Sequence, residues 1–479
     1  MAAKLSAIAD QQQVARMGSV FDAQRAAFRA APMPGLEARR DSLRRLKRAL
    51  VSNRERFVAA VTSDFGGRAA AETQAELLAV VHHIRYCLRH LKRWMAPSRR
   101  STSLLMATTK AMVYYQPLGV VGVIAPWNYP IALSAGPLVF ALAAGNRVMI
   151  KMSETTPRTG ELMRQVLADA FDENELAVVL GERETAREFT RLPFDHLLFT
   201  GGSEIGRLVM KEAAANLTPV TLELGGKSPT LIADDVPMAM AAERIAFGKA
   251  LNAGQTCVAP DYVLCPRNRV DEFVAAFGSA LAKMYPGMTR SRDYSAVVND
   301  RHYRRLRDYL DDARARGADV VELNPGDLSP EPGSRKMPLY LIRGATADMR
   351  VMQEEVFGPI LPVVAYGHLE EALDFINARP RPLALNLFIA DAGRRERILA
   401  ETHAGGVCVN DAVSQFLAED LPFGGVGESG MGHYHGYEGF LTFSHKKAVF
   451  SRPRLNTARV LYAPHGGWLQ RLLYWLYLR

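Results

Sequence analysis

With 479 residues, 48% apolar and 23% charged, the chain is long enough for roughly two or three domains with sizeable cores and has the composition of a globular protein in water. Its net charge of +9 gathers at one end, since Gly439–Arg479 holds seven Lys or Arg and no Asp or Glu; the rest is near neutral, which argues against a nucleic-acid-binding face on the body. Four cysteines without paired spacing, no apolar leader and no apolar run of about 18 residues argue against a disulfide framework, a signal peptide and a membrane span, and place the chain in a reducing cytoplasm.

In chain order, Leu43, Leu46, Leu50, Phe57 and Val61 recur at helical spacing, and a further helix is predicted to about Met95. Pro97–Arg100 breaks that pattern, and Ser101–Gln116, rich in Thr, Val and Tyr, reads as a strand pair set apart from the main sheet. From Gly119 strands alternate with helices. The strands are Val120–Ile124, Arg147–Ile150, Val178–Leu180, His196–Thr200 and Val220–Leu224, with an apolar helix over Pro130–Ala144 and another opened by G-G-S-E-I-G. Continuously apolar strands between helices indicate a parallel sheet covered on both faces, whose carboxyl ends suit a nucleotide. A second α/β series runs from about Ser228 to Cys408, with strands at Thr230–Ile232, Tyr262–Leu264 and Leu361–Val364. Asn410–Phe450 is loop-rich, with five glycines between Gly424 and Gly432.

Several motifs fall at strand ends. Gly201–Gly206, between a strand and a helix, suits a phosphate but lacks the full G-x-G-x-x-G pattern. Lys151 and Glu154, after another strand, either hold ribose hydroxyls or form a solvated helix start. Asn128, fixed between prolines in A-P-W-N-Y-P, either donates its amide to an oxyanion or caps the next helix. Cys257 lies in N-A-G-Q-T-C-V-A-P-D, thirty-four residues after Glu223 in V-T-L-E-L-G-G-K-S-P. A thiol needs activation to act as a nucleophile, and a carboxylate is suited to activate water for a later hydrolysis. Cys265 and Cys408 sit in apolar strand contexts and read as packing residues. No C-x-x-C occurs, and His82-His83 and His433-x-His435 lack partners at ligand spacing, so no metal is expected.

P-W-N-Y-P, L-E-L-G-G-K-S-P, G-Q-T-C-V-A-P-D-Y, Q-E-E-V-F-G-P and L-P-F-G-G-V-G-E-S-G-M-G, in this order and spacing, resemble the aldehyde dehydrogenase superfamily from about residue 40 to 450. T-C-V-A-P-D-Y and S-G-M-G-H-Y-H-G-Y-E-G-F-L-T-F-S-H are most similar to its shorter, class 3-like branch, and within it to bacterial coniferyl aldehyde dehydrogenases. The resemblance implies a Rossmann-like parallel-sheet cofactor domain, a second α/β catalytic domain and a small β oligomerisation arm. It divides the chain into 1–98 with 119–222 (cofactor), 99–118 with 409–450 (oligomerisation and bridging), 223–408 (catalytic) and a tail, 451–479.

It also implies NAD- or NADP-dependent oxidation of an aromatic or medium-to-long-chain aldehyde to the acid. Cys257 would be the nucleophile, Asn128 and the Cys257 N–H the oxyanion donors, and Glu223 the base for thioester hydrolysis, with Glu355 a competing base. Lys151 and Glu154 would meet the adenosine ribose, Gly201, Ser203 and Gly206 the phosphates, and Glu355 and Phe357 the nicotinamide half. K-M-S-E here replaces the usual K-P-S-E, and G-G-S-E-I-G the usual G-S-T-x-x-G, which leaves NAD against NADP open. The alternatives are a CoA-acylating enzyme, against which Glu223 argues, and a non-catalytic protein on the same fold. A homodimer is expected. The tail, W-L-Q-R-L-L-Y-W-L-Y-L from Trp468 to Leu478, is too short to span a bilayer; it suits either peripheral contact with an anionic membrane or packing over the substrate entrance or a partner subunit.

Overall fold

The computed structural model describes residues 2–478 other than 104, 105, 107 and 455, with side chains from residue 13 onward. Among the described residues the strands form three sheets. The first has the spatial order Gly430–Met431, Val220–Leu224, His196–Gly201, Val120–Ile124, Arg147–Lys151, Leu176–Val179. All neighbours are parallel except Gly430–Met431, which pairs antiparallel with the strand holding Glu223. Val120–Ile124 is wholly buried, as a central strand with both faces covered must be. The chain leaves it first towards Leu176–Val179 and later returns on its other side at His196–Gly201. This reversal opens a crevice at the carboxyl ends of the two strands, where doubly wound sheets bind ligands.

The second sheet is ordered Asp319–Leu323, Leu339–Arg343, Ile360–Tyr366, Tyr262–Pro266, Pro229–Ile232, Ala384–Phe388, Gly406–Val409, parallel except at Asp319–Leu323. The fold is therefore α/β with two parallel-rich sheets.

The third sheet corrects two boundaries. Its strands are Ser98–Arg100, Lys110–Pro117 and Ser444–Ser451, all antiparallel. Ser98–Arg100 begins where the sequence reads as a break, and Ser444–Ser451 comes from the stretch read as loop. Positions 104, 105 and 107 of the expected strand pair, and Arg479 of the basic tail, lie outside the described residues.

Helices Leu36–Ser52, Arg54–Phe65 and Ala70–Met95 bury the predicted stripe, with Leu43, Leu46, Leu50, Phe57 and Val61 fully enclosed. Each such side chain contributes about 1.5–3 kcal/mol of apolar burial. They pack around Ala132–Ala144, a helix with every residue buried, which fixes the chain directly after Asn128. A helix at Ala2–Ala30, unanticipated from the sequence, lays Met17, Val20 and Phe21 on the first sheet. The C-terminal helix Trp468–Tyr477 stands largely exposed. No helix among the described residues is long and apolar enough to cross a membrane.

Candidate active site

The Cys257 loop begins where helix Met238–Ala250 ends. Its backbone then turns left-handed three times running, at Asn252 (φ 51°), Ala253 (φ 52°) and Gly254 (φ 72°). Residues with a Cβ rarely adopt this region, so the turn persists only if its surroundings over-determine it. At Gly254 a Cβ would lie 2.3 Å from the Gly358 carbonyl oxygen, which requires glycine. Asn252 Nδ2 donates to the carbonyls of Asn128 (3.0 Å) and Gln255 (3.1 Å). Fully buried Gln255 donates through Nε2 to Asn252 O (2.9 Å) and Ala296 O (3.0 Å), and its Oε1 accepts the Val298 N–H (2.9 Å). Cys257 follows this brace, half-buried.

Asn128 follows strand Val120–Ile124. Its Nδ2 donates to the Gln255 carbonyl at 3.1 Å, leaving a second amide hydrogen. The position preceding helix Ala132–Ala144 is Ile131, with no side-chain cap, so the helix-cap alternative for Asn128 does not hold.

A cavity of about 630 Å³ at the crevice is lined by Asn128, Glu223, Cys257, Glu355, Phe357 and Tyr434. A second, narrower cavity of about 180 Å³, walled by Phe247, Leu251, Val413, Phe416 and Leu417, meets it at Leu133 and Cys257. The sulfur thus stands at a junction. Burial, then the charges of Glu355 and Glu223, push the Cys257 thiol up to about 12, against the pull of its own and the Val258 N–H. Glu223, at the end of its strand, is 3% exposed, and neither carboxyl oxygen has a protein partner. Burial holds it well above the ordinary carboxylate value. Burial, then the charge of Asp261, raises Glu355 to about 8, opposed by the Gly226 N–H, Lys227 and Arg305. Its carboxyl lies so close to Gly225 that a Cβ there would come within 2.1 Å of Oε2. Phe357, itself at φ 46°, meets the Trp127 ring edge-on at 5.4 Å.

The structure brings together Cys257, Glu223, Asn128, Glu355, Phe357 and Gly201, all of which line the wide cavity. Lys151, Glu154, Ser203 and Gly206 are not among its lining residues. Lys151 ends the strand beside Val120–Ile124, buried, with Nζ donating to Met152 O at 2.7 Å, and Glu154 is exposed three residues on. Ser203 opens helix Ser203–Ala214 and donates to Glu428 O at 3.1 Å, while Gly206 packs on Leu224. That helix has Gly202 at its N-cap without a side-chain cap, and a Cβ on Gly201 would meet the Phe199 ring at 2.5 Å. A bare strand-to-helix turn of this kind at the sheet's switch point, with Glu355 facing the same cavity, fits a dinucleotide.

The sequence reading missed Tyr434, His302 and Arg305, which also line the wide cavity. Tyr434 was in view within H-Y-H-G-Y, but its strand-like pairing to Phe423, which turns it inward, has no local signature. His302 and Arg305 sit in an Arg-rich helix that reads as a solvated surface. Among the described residues, no group of three or more His, Cys, Asp or Glu is arranged to hold a metal ion.

The family model described as "Aldehyde dehydrogenase family" matches residues 3–449. The chain is 53% identical over 470 residues to the "Probable coniferyl aldehyde dehydrogenase" of Pseudomonas aeruginosa, covering 98% of each. It is 43% identical over 461 residues to the "Coniferyl aldehyde dehydrogenase" of Pseudomonas sp. strain HR199, covering 96% of this chain and 95% of the relative. Among solved structures, the substrate-bound AldH of Staphylococcus aureus is similar at a TM-score of 0.90 and 35% identity, covering 96% of this chain and 99% of that one.

Proposed function

The chain belongs to the aldehyde dehydrogenase family and oxidises aldehydes with NAD or NADP; from that premise we propose that Cys257, Asn128 and Glu223 carry the reaction here. Cys257 adds to the aldehyde carbonyl as thiolate once a carboxylate that faces it, Glu223 or Glu355, has taken the thiol proton. The free amide hydrogen of Asn128 and the Cys257 N–H receive the oxyanion. Bound NAD(P) supplies the hydride acceptor. The acyl group is then a thioester on Cys257. Glu223 takes a proton from the water that attacks it, releasing the carboxylic acid and the thiolate.

The observation carrying this reading is the pair of unpartnered oxygens on buried Glu223 in the cavity that reaches Cys257. A carboxyl left without protein partners is available for a substrate water. One specific observation favours a second base: Glu355 lines the same cavity and is raised by burial to about 8, near a working pH. Single-turnover kinetics on Glu223→Gln test the assignment. We expect one NADH per site followed by a stall, and no rescue by CoA. Wild-type steady-state turnover would transfer the base role to Glu355, and CoA-dependent turnover would indicate an acylating enzyme.

For the cofactor we assign Lys151 and Glu154 to the adenosine ribose, Gly201, Ser203 and Gly206 to the phosphate turn, and Glu355 and Phe357 to the nicotinamide half. The substrate proposed is an aromatic aldehyde of the coniferaldehyde type, which the names of the two Pseudomonas relatives and the aromatic, apolar wall of the narrow cavity support. Medium-to-long aliphatic aldehydes are the runner-up, and turnover across a panel of both decides.

We further propose a cytoplasmic homodimer and peripheral contact of the tail with anionic membranes. Helix Trp468–Tyr477 exposes Trp468, Leu472, Trp475 and Leu476, next to a segment whose charges are all positive. Co-sedimentation with anionic vesicles, lost on truncation at Pro464, is the expected result. Vesicle binding that survives truncation, or none at all, overturns the membrane role.

A further inference from the structure

We propose that Arg68, gripped between Glu72 and Glu76, is a positioning residue that sets the spacing between the Asn128 amide and the Cys257 sulfur. The inference rests on the roles proposed above for those two groups.

Arg68 sits in the short link between helices Arg54–Phe65 and Ala70–Met95, its side chain fully enclosed. Nη1 donates to the Asn128 carbonyl at 2.7 Å, Nη2 to Glu76 Oε1 at 3.2 Å, and Nε lies 3.2 Å from Glu72 Oε2. The rings of Phe65 and Tyr129 hold the guanidinium at 4.9 and 4.8 Å. Each carboxylate also holds one of the loops. Glu72 Oε1 accepts the backbone N–H of Asn252, where the left-handed turn before Cys257 begins, at 2.8 Å. Glu76 Oε2 accepts the N–H groups of Ile131 and Ala132, directly after Asn128, at 3.0 and 3.1 Å.

One helix start therefore carries both halves of the site. Asn252 Nδ2 closes the ring by donating to the same Asn128 carbonyl that Arg68 holds. A buried ion cluster is in general weak evidence for stability. Here its bonds go mainly to the backbone of the two reacting loops, which is what a spacer requires and a core ion pair does not. Two carboxyls also face one guanidinium, and burial lifts Glu76 to about 7. Positioning of this kind matters because a shift of about 1 Å in a reacting group is enough to cost roughly 100-fold in rate.

The test is a double-mutant cycle in the full-length enzyme, with Arg68→Met and Arg68→Lys each made alone and with Asn128→Ala. With coniferaldehyde and NAD we expect Arg68→Met to lower kcat by about 10- to 100-fold, with the KM for NAD within about two-fold and Arg68→Lys recovering part of the loss. In the Asn128→Ala background the further loss should be under about three-fold, because the group being positioned is gone. Equal losses in both backgrounds, or a loss confined to KM or thermal stability, overturn the proposal. Wild-type kcat in Asn128→Ala alone would instead mark failure of the site reading itself, and the proposal with it. Where Arg68→Met does not fold, Glu72→Gln takes its place in the same cycle with the same expected and overturning outcomes.

Discussion

The two walls of the wide cavity are built on opposite terms. On the side of the nucleophile loop most polar groups are spoken for: Gln255 makes three side-chain hydrogen bonds and Asn252 Nδ2 makes two, with Asn252 Oδ1 left over. On the facing strands, Glu223 Oε1 and Oε2, Thr200 Oγ1 and the Tyr434 hydroxyl are buried without a protein partner. A buried polar group left unpaired costs about 1–3 kcal/mol, so the second wall is locally unfavourable until something fills it. The contrast teaches that fixed geometry and unfilled hydrogen-bonding capacity have been separated in space. One wall fixes geometry, and the other holds capacity in reserve for water and substrate.

The sharpest way to break that comparison is at the sulfur itself. Cys257→Ala should abolish aldehyde-dependent NADH formation to below roughly one ten-thousandth of wild type while leaving the melting temperature unchanged. Residual turnover above that level, measured by absorbance at high enzyme concentration, rejects the nucleophile. Next in size, Gln255→Ala on the braced wall should cost about 3 kcal/mol of stability, because it strands the Val298 N–H and the Ala296 carbonyl in a buried site. If its melting temperature matches that of wild type, the division between the walls collapses.

The last effect is read against pH. A carboxyl raised to about 8 in the fold, against an ordinary value near 4.5, binds its proton more tightly folded than unfolded. The stability it contributes is complete at low pH and drains away between those two values, by at most ~1.4 kcal/mol per pH unit. Glu355→Gln should therefore melt progressively above wild type as pH rises from 5 to about 8, then hold a constant offset. Parallel melting curves across that range would show that Glu355 is not held in its raised state.

Much of the fold was legible because it is written locally. The strand Val120–Ile124 is a five-residue apolar run, and the Leu43, Leu46, Leu50 stripe has helical period; both are found where expected. The motif residues Cys257, Glu223 and Asn128 were also visible, because glycines, prolines and small residues mark their loops. What could not be read depends on distant partners. Arg68 and Asn128 are 60 residues apart, and Glu72 and Asn252 are 180 apart, so no local pattern announces either contact. Ser444–Ser451 pairs across more than three hundred residues with Lys110–Pro117. The N-terminal helix hides for another reason. Its buried stripe of Met17, Val20 and Phe21 continues at Gln24, a polar residue whose Nε2 donates to the carbonyls of Val148 and Glu173.

The junction at Cys257 also governs traffic through the enzyme. The lining of the wide and narrow cavities has Cys257 and Leu133 in common, so under the assignment proposed above the dinucleotide would reach the reaction from one side and the aldehyde from the other. In that arrangement the acid would leave on the narrow side while the reduced dinucleotide is still seated in the wide one. Release of the two products then need not follow a fixed order. A lipophilic acid accumulating in the narrow passage would throttle turnover without displacing the nucleotide, and widening that passage would speed the enzyme on bulky substrates while leaving its nucleotide affinity alone.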